Sequence, residues 1–310
     1  MFKLKTGIPV YFPDPKWPNF GGFLNPYIQS ILLGIVEGLT EFLPVSSTAH
    51  LRITEALMKI PLDDAYWKMY TIVIQLGAIL ALVLLFLSRI VDFFRTFPKG
   101  VNNDRTWLNH PISLTLIAFA FTSAPALALH KWSEKNLGSI NVMALALLIG
   151  GVVMWTVDVW SDRYDANTVH VEEMTLSQAI WIGLCQTLSA IFPGTSRSMS
   201  TIAAGQIAGM DRPTALEFSF LLSIPTMIAA TIWDLKKEVF PSHGVAAHVV
   251  MNTENWVTLL IGLVVSFIVA LGVVEWFLHW VRRHGFTFFA IYRIILGIAL
   301  LIWGTKFIGG

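Results

Sequence analysis

The chain has 310 residues, 55% of them hydrophobic and 13% charged, with a mean hydropathy of +0.64. Soluble domains carry about 25% charged residues, so the composition excludes an ordinary soluble fold and specifies an all-α integral membrane protein. A net charge of +1 offers no basic surface for nucleic acid. The single cysteine, Cys185, excludes an internal disulfide and any cysteine-cluster metal site, and reads as a small apolar helix residue.

Residues 1–26 are rich in proline and aromatic side chains. Pro9, Pro13, Pro15 and Pro18 interrupt any apolar core, which argues against a signal peptide and for an irregular arm at the membrane interface. A helix over 27–43 follows, about 25 Å long at 1.5 Å per residue. Pro44, which lacks an N–H and clashes with the preceding turn, ends it. A second short helix, 47–60, carries Arg52, Glu55 and Lys59. Neither matches a span of about 20 apolar residues. The pair is expected to form a re-entrant hairpin with 44–47 at its tip, irregular backbone that membrane depth tolerates only inside protein or water. Spans are expected at 69–88, 111–130 and 136–157. The second holds Pro125, an expected kink, and the third holds Gly150 and Gly151, which allow close helix approach.

A polar, mostly acidic stretch, 158–173, divides the chain into a first repeat (27–160) and a second (175–310), joined by 161–174. The second repeat starts with short helices at 175–192 and 196–209, broken at Pro193-Gly194. Spans follow near 213–233, 256–280 and 286–307. Each half thus holds one hairpin and three spans. A hairpin returns to its own side and three is odd, so the second half is upside down relative to the first. This inverted-topology repeat, with six spans and two re-entrant hairpins, places a site where the halves meet. Arg89, Arg95, Lys99, Arg105, Arg282 and Arg283 lie on one side, and Lys131, Lys135, Lys236, Lys237 and Lys306 on the other, a weak positive-inside bias.

The two hairpins carry related motifs, GIVEGLTEFLPVSSTAHLR at 34–52 and GLCQTLSAIFPGTSRSMST at 183–201. At an offset of 149, Gly34 matches Gly183, Glu37 matches Gln186, Pro44 matches Pro193, Ser47 matches Ser196 and Thr48 matches Arg197. Glu37 and Glu41, four residues apart, share a helix face. They suit Mg²⁺ or Ca²⁺ coordination, orientation of His50, or proton relay. Ser47 is placed at a helix start, where unpaired N–H groups attract phosphate. His50, one turn on, fits a general base for Ser47 or a direct nucleophile. Arg197 is a fixed cation whose fork suits phosphate oxygens, with Thr195, Ser196 and Ser198 as added hydroxyl donors. Glu217 is a candidate to hold Arg197, and Gln75 and Gln186 are candidate supporting amides.

The stretches EGLTEFLPVSSTAH and PGTSRS closely resemble the signature motifs of the bacterial undecaprenyl-diphosphate phosphatases. IQLGAILALV at 74–83, FSFLLSIP at 218–225 and FAIYRIILG at 289–297 also look like that family, and the resemblance covers roughly 27–305. It implies an inner-membrane enzyme that releases phosphate from undecaprenyl diphosphate at the outer (periplasmic) face. The product is the lipid carrier reused for cell-wall synthesis, and bacitracin resistance accompanies the activity. The resemblance carries function onto Glu37, Glu41, Ser47, His50 and Arg197, with Ser46, Thr48, Ser196 and Ser198 beside them, and implies dependence on a divalent cation. Ala49, Thr195 and Met199 depart from residues common in the family. Ala49 would add a methyl beside the phosphate site, and the other two would alter the pocket wall. The nucleophile stays open among Ser47, His50 and water. A flippase of the phosphorylated lipid is the alternative function, and a non-enzymatic lipid-binding protein a weaker one. A homodimer is one assembly the sequence allows.

Overall fold

In the computed structural model the described residues are 24–62, 64–100, 105–131, 139–239 and 251–307. Most of the expected N-terminal arm lies outside them, as do Lys135 and the loop with Pro241 and His243. Among the described residues there are eleven α-helices, no strand, and one 3₁₀ turn at Val171–Glu173. The helices are α1 (Pro26–Thr40), α2 (Ser47–Leu57), α3 (Ala65–Leu85), α4 (Leu87–Thr96), α5 (Pro111–Ala128), α6 (Ile140–Ser161), α7 (Leu176–Ile191), α8 (Arg197–Ile207), α9 (Arg212–Val239), α10 (Thr253–His284) and α11 (Thr287–Phe307).

Local chemistry sets the helix starts. Asn25 Oδ1 accepts from Tyr27 N at 2.8 Å with Pro26 at the first helical position, and Asp64 Oδ1 accepts from Trp67 N at 3.0 Å. Thr175 and Gln178 form a reciprocal capping box on α7. Six helices, α3, α5, α6, α9, α10 and α11, are long and apolar enough to cross a membrane. Their outward faces expose large apolar side chains such as Leu80, Ile149, Ile268 and Ile295, which only lipid would cover. The chain is a multi-pass helical membrane protein. The amphipathic α4, carrying Arg89 and Arg95, was not expected from the sequence, which placed these arginines only on one side of the membrane. Pro125 sits within α5 without ending it.

Small residues bring the helices together. α6 packs along α11, where a Cβ on Gly151 would lie 2.8 Å from the Ala290 carbonyl oxygen, and one on Gly297 2.8 Å from that of Ala144. α1 packs on α10 and α7 on α5, while α3 and α9 face each other. The short helix α1 packs on α2 and α7 on α8, each pair joined by a tight turn.

One end of the bundle is tied by ion pairs. Asp158, at the end of α6, reads from sequence as part of a solvated acidic loop, yet it is buried. Its Oδ1 accepts from Arg212 Nε at 2.7 Å, and its Oδ2 accepts from the Phe286 and Thr287 N–H groups at 2.9 and 3.1 Å. It therefore joins the ends of three helices. At the same end, Arg89 binds Glu172 and Glu217. Removing one partner of a buried pair costs about 3–5 kcal/mol. Asp158→Ala is expected to lower the thermal unfolding midpoint in detergent by several degrees, whereas Asp162→Ala, whose exposed carboxylate also contacts Arg212, shifts it little. Tryptophan-fluorescence melting of the two variants checks this.

Candidate active site

The site is built where the two hairpins end. α1 stops at Thr40, earlier than Pro44 alone would require, and Glu41 forms its C-cap with helical backbone angles. The Glu41 N–H still bonds the Glu37 carbonyl at 3.0 Å, so Glu37 and Glu41 share one turn as their spacing predicts. The chain reverses through Phe42–Val45, and Ser46 caps α2 with a φ of +74°. In the second hairpin Ser196 caps α8 with a φ of +70°. These cap serines correspond, so the tips are offset by 150 residues (46 to 196) rather than 149. Gly194, at φ +94°, supplies the extra residue between Pro193 and its cap. Ser47 therefore corresponds to Arg197, which corrects the pairing of Ser47 with Ser196 and of Thr48 with Arg197.

The two tips touch. Ser198 Oγ, bonded to Ser196 Oγ at 3.0 Å, donates to the Leu43 carbonyl at 3.0 Å. Arg293, fully buried in α11, reaches both tips. Its Nη1 donates to the Pro44 carbonyl at 3.2 Å, and its Nη2 to those of Gly194, Thr195 and Ala146 at 3.1, 2.9 and 3.2 Å. A side chain at Gly150 would strike Arg293 Nη2, so the α6 glycine makes room for the guanidinium.

Three residues converge in this frame. Ser47 Oγ donates to Glu41 Oε2 at 2.5 Å. Arg197 Nη2 lies 3.5 Å from Glu41 Oε1, and its guanidinium sits 5.8 Å from the Phe42 ring centroid. Arg197 Nη1 makes a 3.5 Å contact with the Ser219 carbonyl. Its Nε and Nη2 are buried without a hydrogen-bond partner among the described residues, as are both carboxylate oxygens of Glu37. Buried polar groups are nearly always satisfied. A glutamate and an arginine with unused hydrogen-bonding capacity thus stand beside a serine bonded to a carboxylate. The group can hold an anion, move a proton from Ser47 to Glu41 and accept a cation at Glu37.

Other expected site residues lie elsewhere. His50 does not bond Ser47: its Nδ1 lies 2.7 Å from the Ser46 carbonyl and its Nε2 2.6 Å from the Tyr292 hydroxyl. Thr48 is exposed, and Ala49 is buried in an apolar cluster with Met143 and Leu147. Glu217 does not hold Arg197; it accepts from Arg89 Nε at 2.8 Å. Gln75 is half-buried in α3 without a hydrogen bond to a site residue. Gln186 is buried and donates to Thr122 and Thr226, linking α7 to α5 and α9. Thr195 gives its carbonyl to Arg293, while its side chain and Met199 border an apolar groove of about 510 Å³ between α6, α7 and α8. The motif reading missed Tyr292 and Arg293. The available signal was an arginine in the middle of an apolar span, which marks a functional position by default.

The fold and site define a multi-pass membrane protein with a cluster of charged and hydroxyl side chains where two buried turns meet. Residues 30–299 match the family model described as bacitracin resistance protein BacA, and the chain belongs to that family. It is 58% identical over 287 residues to an undecaprenyl-diphosphatase of Koribacter versatilis, covering 91% of this chain and all of the relative. Undecaprenyl-diphosphatases of Persephonella marina (39% identical; 89% of this chain, 98% of the relative) and Caldanaerobacter subterraneus (38%; 88% and 94%) are also similar.

The Arg293 fork ties three elements through buried carbonyls, and each bond to a charged donor contributes about 1.5–3 kcal/mol. Arg293→Met is expected to abolish recovery of folded protein or to lower its melting point by at least 5 °C. Arg293→Lys, whose single ammonium cannot span both turns, is expected to recover less than half of that loss. Thermal melts followed by size-exclusion profiles read both.

Proposed function

We propose that the chain is a membrane phosphatase that cleaves undecaprenyl diphosphate to undecaprenyl phosphate and inorganic phosphate. The observation that carries this reading is the convergence of Glu41, Ser47 and Arg197 at the meeting point of the tips. The relatives matched over nearly the whole chain are undecaprenyl-diphosphatases, which agrees with it and favours hydrolysis over lipid transport.

The geometry favours Ser47 as nucleophile. Its Oγ attacks the terminal phosphorus and its proton passes to Glu41 Oε2, already 2.5 Å away. The anhydride P–O bond breaks and undecaprenyl phosphate leaves. Water then attacks the phosphoserine, Glu41 returns its proton to Ser47 Oγ, and inorganic phosphate departs with the water's oxygen. Arg197 Nε, which has no hydrogen-bond partner among the described residues, and Nη2, which makes only a 3.5 Å ion pair with Glu41, hold the phosphoryl oxygens, in a reaction that depends mostly on positioning and electrostatics. The N–H groups at the start of α2 add donors on the Ser47 side.

A divalent cation fits Glu37 and Glu41. Both Glu37 oxygens are buried and without partners, and Mg²⁺ is commonly held by one or two carboxylates plus phosphate oxygens. Among the described residues no three His, Cys, Asp or Glu side chains gather, so such a cation would rely on the substrate's own oxygens. When bound, it would neutralise charge on the diphosphate.

In this reading the two halves form an inverted repeat with re-entrant hairpins. The α6–α11 contact supports it: Gly151 on Ala290 and Gly297 on Ala144 are the same contact exchanged, since 297 − 151 and 290 − 144 both equal 146. The packing of α1 on α10 and of α7 on α5 is exchanged in the same way. Placing the end that bears Arg89, Arg95, Arg212, Arg282 and Arg283 in the cytoplasm brings the α1–α2 hairpin in from the outer face of the bacterial inner membrane, the side that the family resemblance implies.

Purified protein in detergent with Mg²⁺ and undecaprenyl diphosphate is expected to release phosphate. Ser47→Ala and Arg197→Ala are each expected to lower kcat by about a hundredfold or more; wild-type rates in both variants would overturn the assigned roles. Chelation is expected to stop turnover, and Glu37→Gln to raise the Mg²⁺ concentration for half-maximal rate by about tenfold. A magnesium titration at saturating lipid measures that shift.

A further inference from the structure

Tyr292 lies on α11, some 240 positions from the first motif, yet its hydroxyl is 2.6 Å from His50 Nε2 and the two rings are nearly parallel, with centroids 5.6 Å apart. On the other side of the imidazole, Nδ1 lies 2.7 Å from the Ser46 carbonyl oxygen. A carbonyl can only accept, so Nδ1 carries the proton. In the neutral ring Nε2 is then the acceptor, and the phenol must be the donor. The hydrogen-bond pattern thus selects one tautomer, with one bond made inside the histidine's own helical turn, to Ser46, and the other across the fold, to Tyr292.

The same contacts bear on the tip itself. Ser46 has a left-handed φ of +74°, uncommon for a residue with a side chain. Its carbonyl takes the His50 ring proton and also the His50 backbone N–H at 3.3 Å. The neighbouring residue on α11, Arg293, holds the carbonyl of Pro44, two positions before Ser46. The Tyr292–Arg293 pair therefore grips the first tip twice, once directly at Pro44 and once through His50 at Ser46. Ser47, the proposed nucleophile, is the next residue in the chain.

We propose that Tyr292 is a positioning residue for the hydrolysis, acting through His50. Its hydroxyl fixes His50 as the Nδ1–H tautomer, and that ring holds the Ser46 carbonyl so that Ser47 Oγ stays aimed at Glu41. Tyr292 touches neither Ser47 nor Glu41, so its effect falls on the turnover step rather than on lipid binding. The role rests on the phosphatase reading, whereas the tautomer assignment does not.

Two measurements test it. The first is ¹⁵N NMR of histidine-labelled protein in detergent, with the His50 signals identified as those lost in His50→Gln. Wild type is expected to show a protonated Nδ1 and an unprotonated Nε2, and Tyr292→Phe, which keeps the ring but not the hydroxyl, a mixture of tautomers. A protonated Nε2 in wild type, or an unchanged pattern in Tyr292→Phe, overturns the proposal whether or not the protein hydrolyses lipid. The second is turnover of undecaprenyl diphosphate. Tyr292→Phe is expected to lower kcat by about tenfold, the worth of one lost hydrogen bond, with KM within twofold and an unchanged melting point. Tyr292→Leu, lacking the ring as well, separates stacking from the hydroxyl: a loss seen only in Tyr292→Leu overturns the hydroxyl's role. Wild-type kcat in Tyr292→Phe, or a rise in KM alone, also overturns it. Absence of turnover by wild type counts against the phosphatase reading and with it the positioning role, while the NMR result still decides the tautomer.

Discussion

Arg293 is the constraint on which the interior depends. A charged side chain deep in an apolar helix bundle is costly unless its donors are met. Here its two terminal nitrogens are met by backbone carbonyls at two chain reversals, where the irregular backbone leaves acceptors unused, and by one carbonyl of α6. The need is mutual. The turns have carbonyls with no helical partner, and the arginine has donors with no water. Each settles the other, and the settlement fixes where both tips stand. Gly150 is part of it, since any side chain there would occupy the guanidinium's place.

Once the tips are fixed, their chemistry divides unequally. The first contributes Glu37, Glu41 and Ser47, and the second contributes Arg197. At the positions that match the two glutamates by sequence, the second hairpin has Gln186 and Ala190. Gln186 is engaged with threonines of α5 and α9, and Ser198 is engaged with the first tip. The second hairpin thus acts mainly as a platform that holds one cation opposite the acids. Arg197 makes a long ion pair with Glu41 at 3.5 Å and keeps its Nε without a hydrogen-bond partner among the described residues, which leaves donors for an incoming anion.

Much of this was legible in the sequence because it is local. The proline breaks, the short helices and the i,i+4 glutamates are written in spacing, and the composite of the two motifs follows from their likeness. What was not legible depends on contacts across the chain. Tyr292 meets His50 over 242 positions, and nothing near either residue announces it. Glu217 belonged to whichever arginine its helix end would meet, and that was Arg89. Asp158 sits in an acidic stretch and is buried only because Arg212 and the turn before α11 come to it. The one-residue slip at the tips was hidden because aligned prolines give the eye a false register; backbone angles at Ser46 and Ser196 reveal it.

The hydrogen bond from Ser198 to the Leu43 carbonyl carries a mechanical consequence. Proteins built from two oppositely oriented halves commonly work by rocking one half against the other, which exposes a central cavity to each side of the membrane in turn. Such rocking must separate the two tips. On the proposed inverted-repeat reading, a direct bond and a shared guanidinium join the tips and oppose that separation. The same ties hold a nucleophile, a base and a cation in fixed relation, which they require if they are to keep their aim through a reaction.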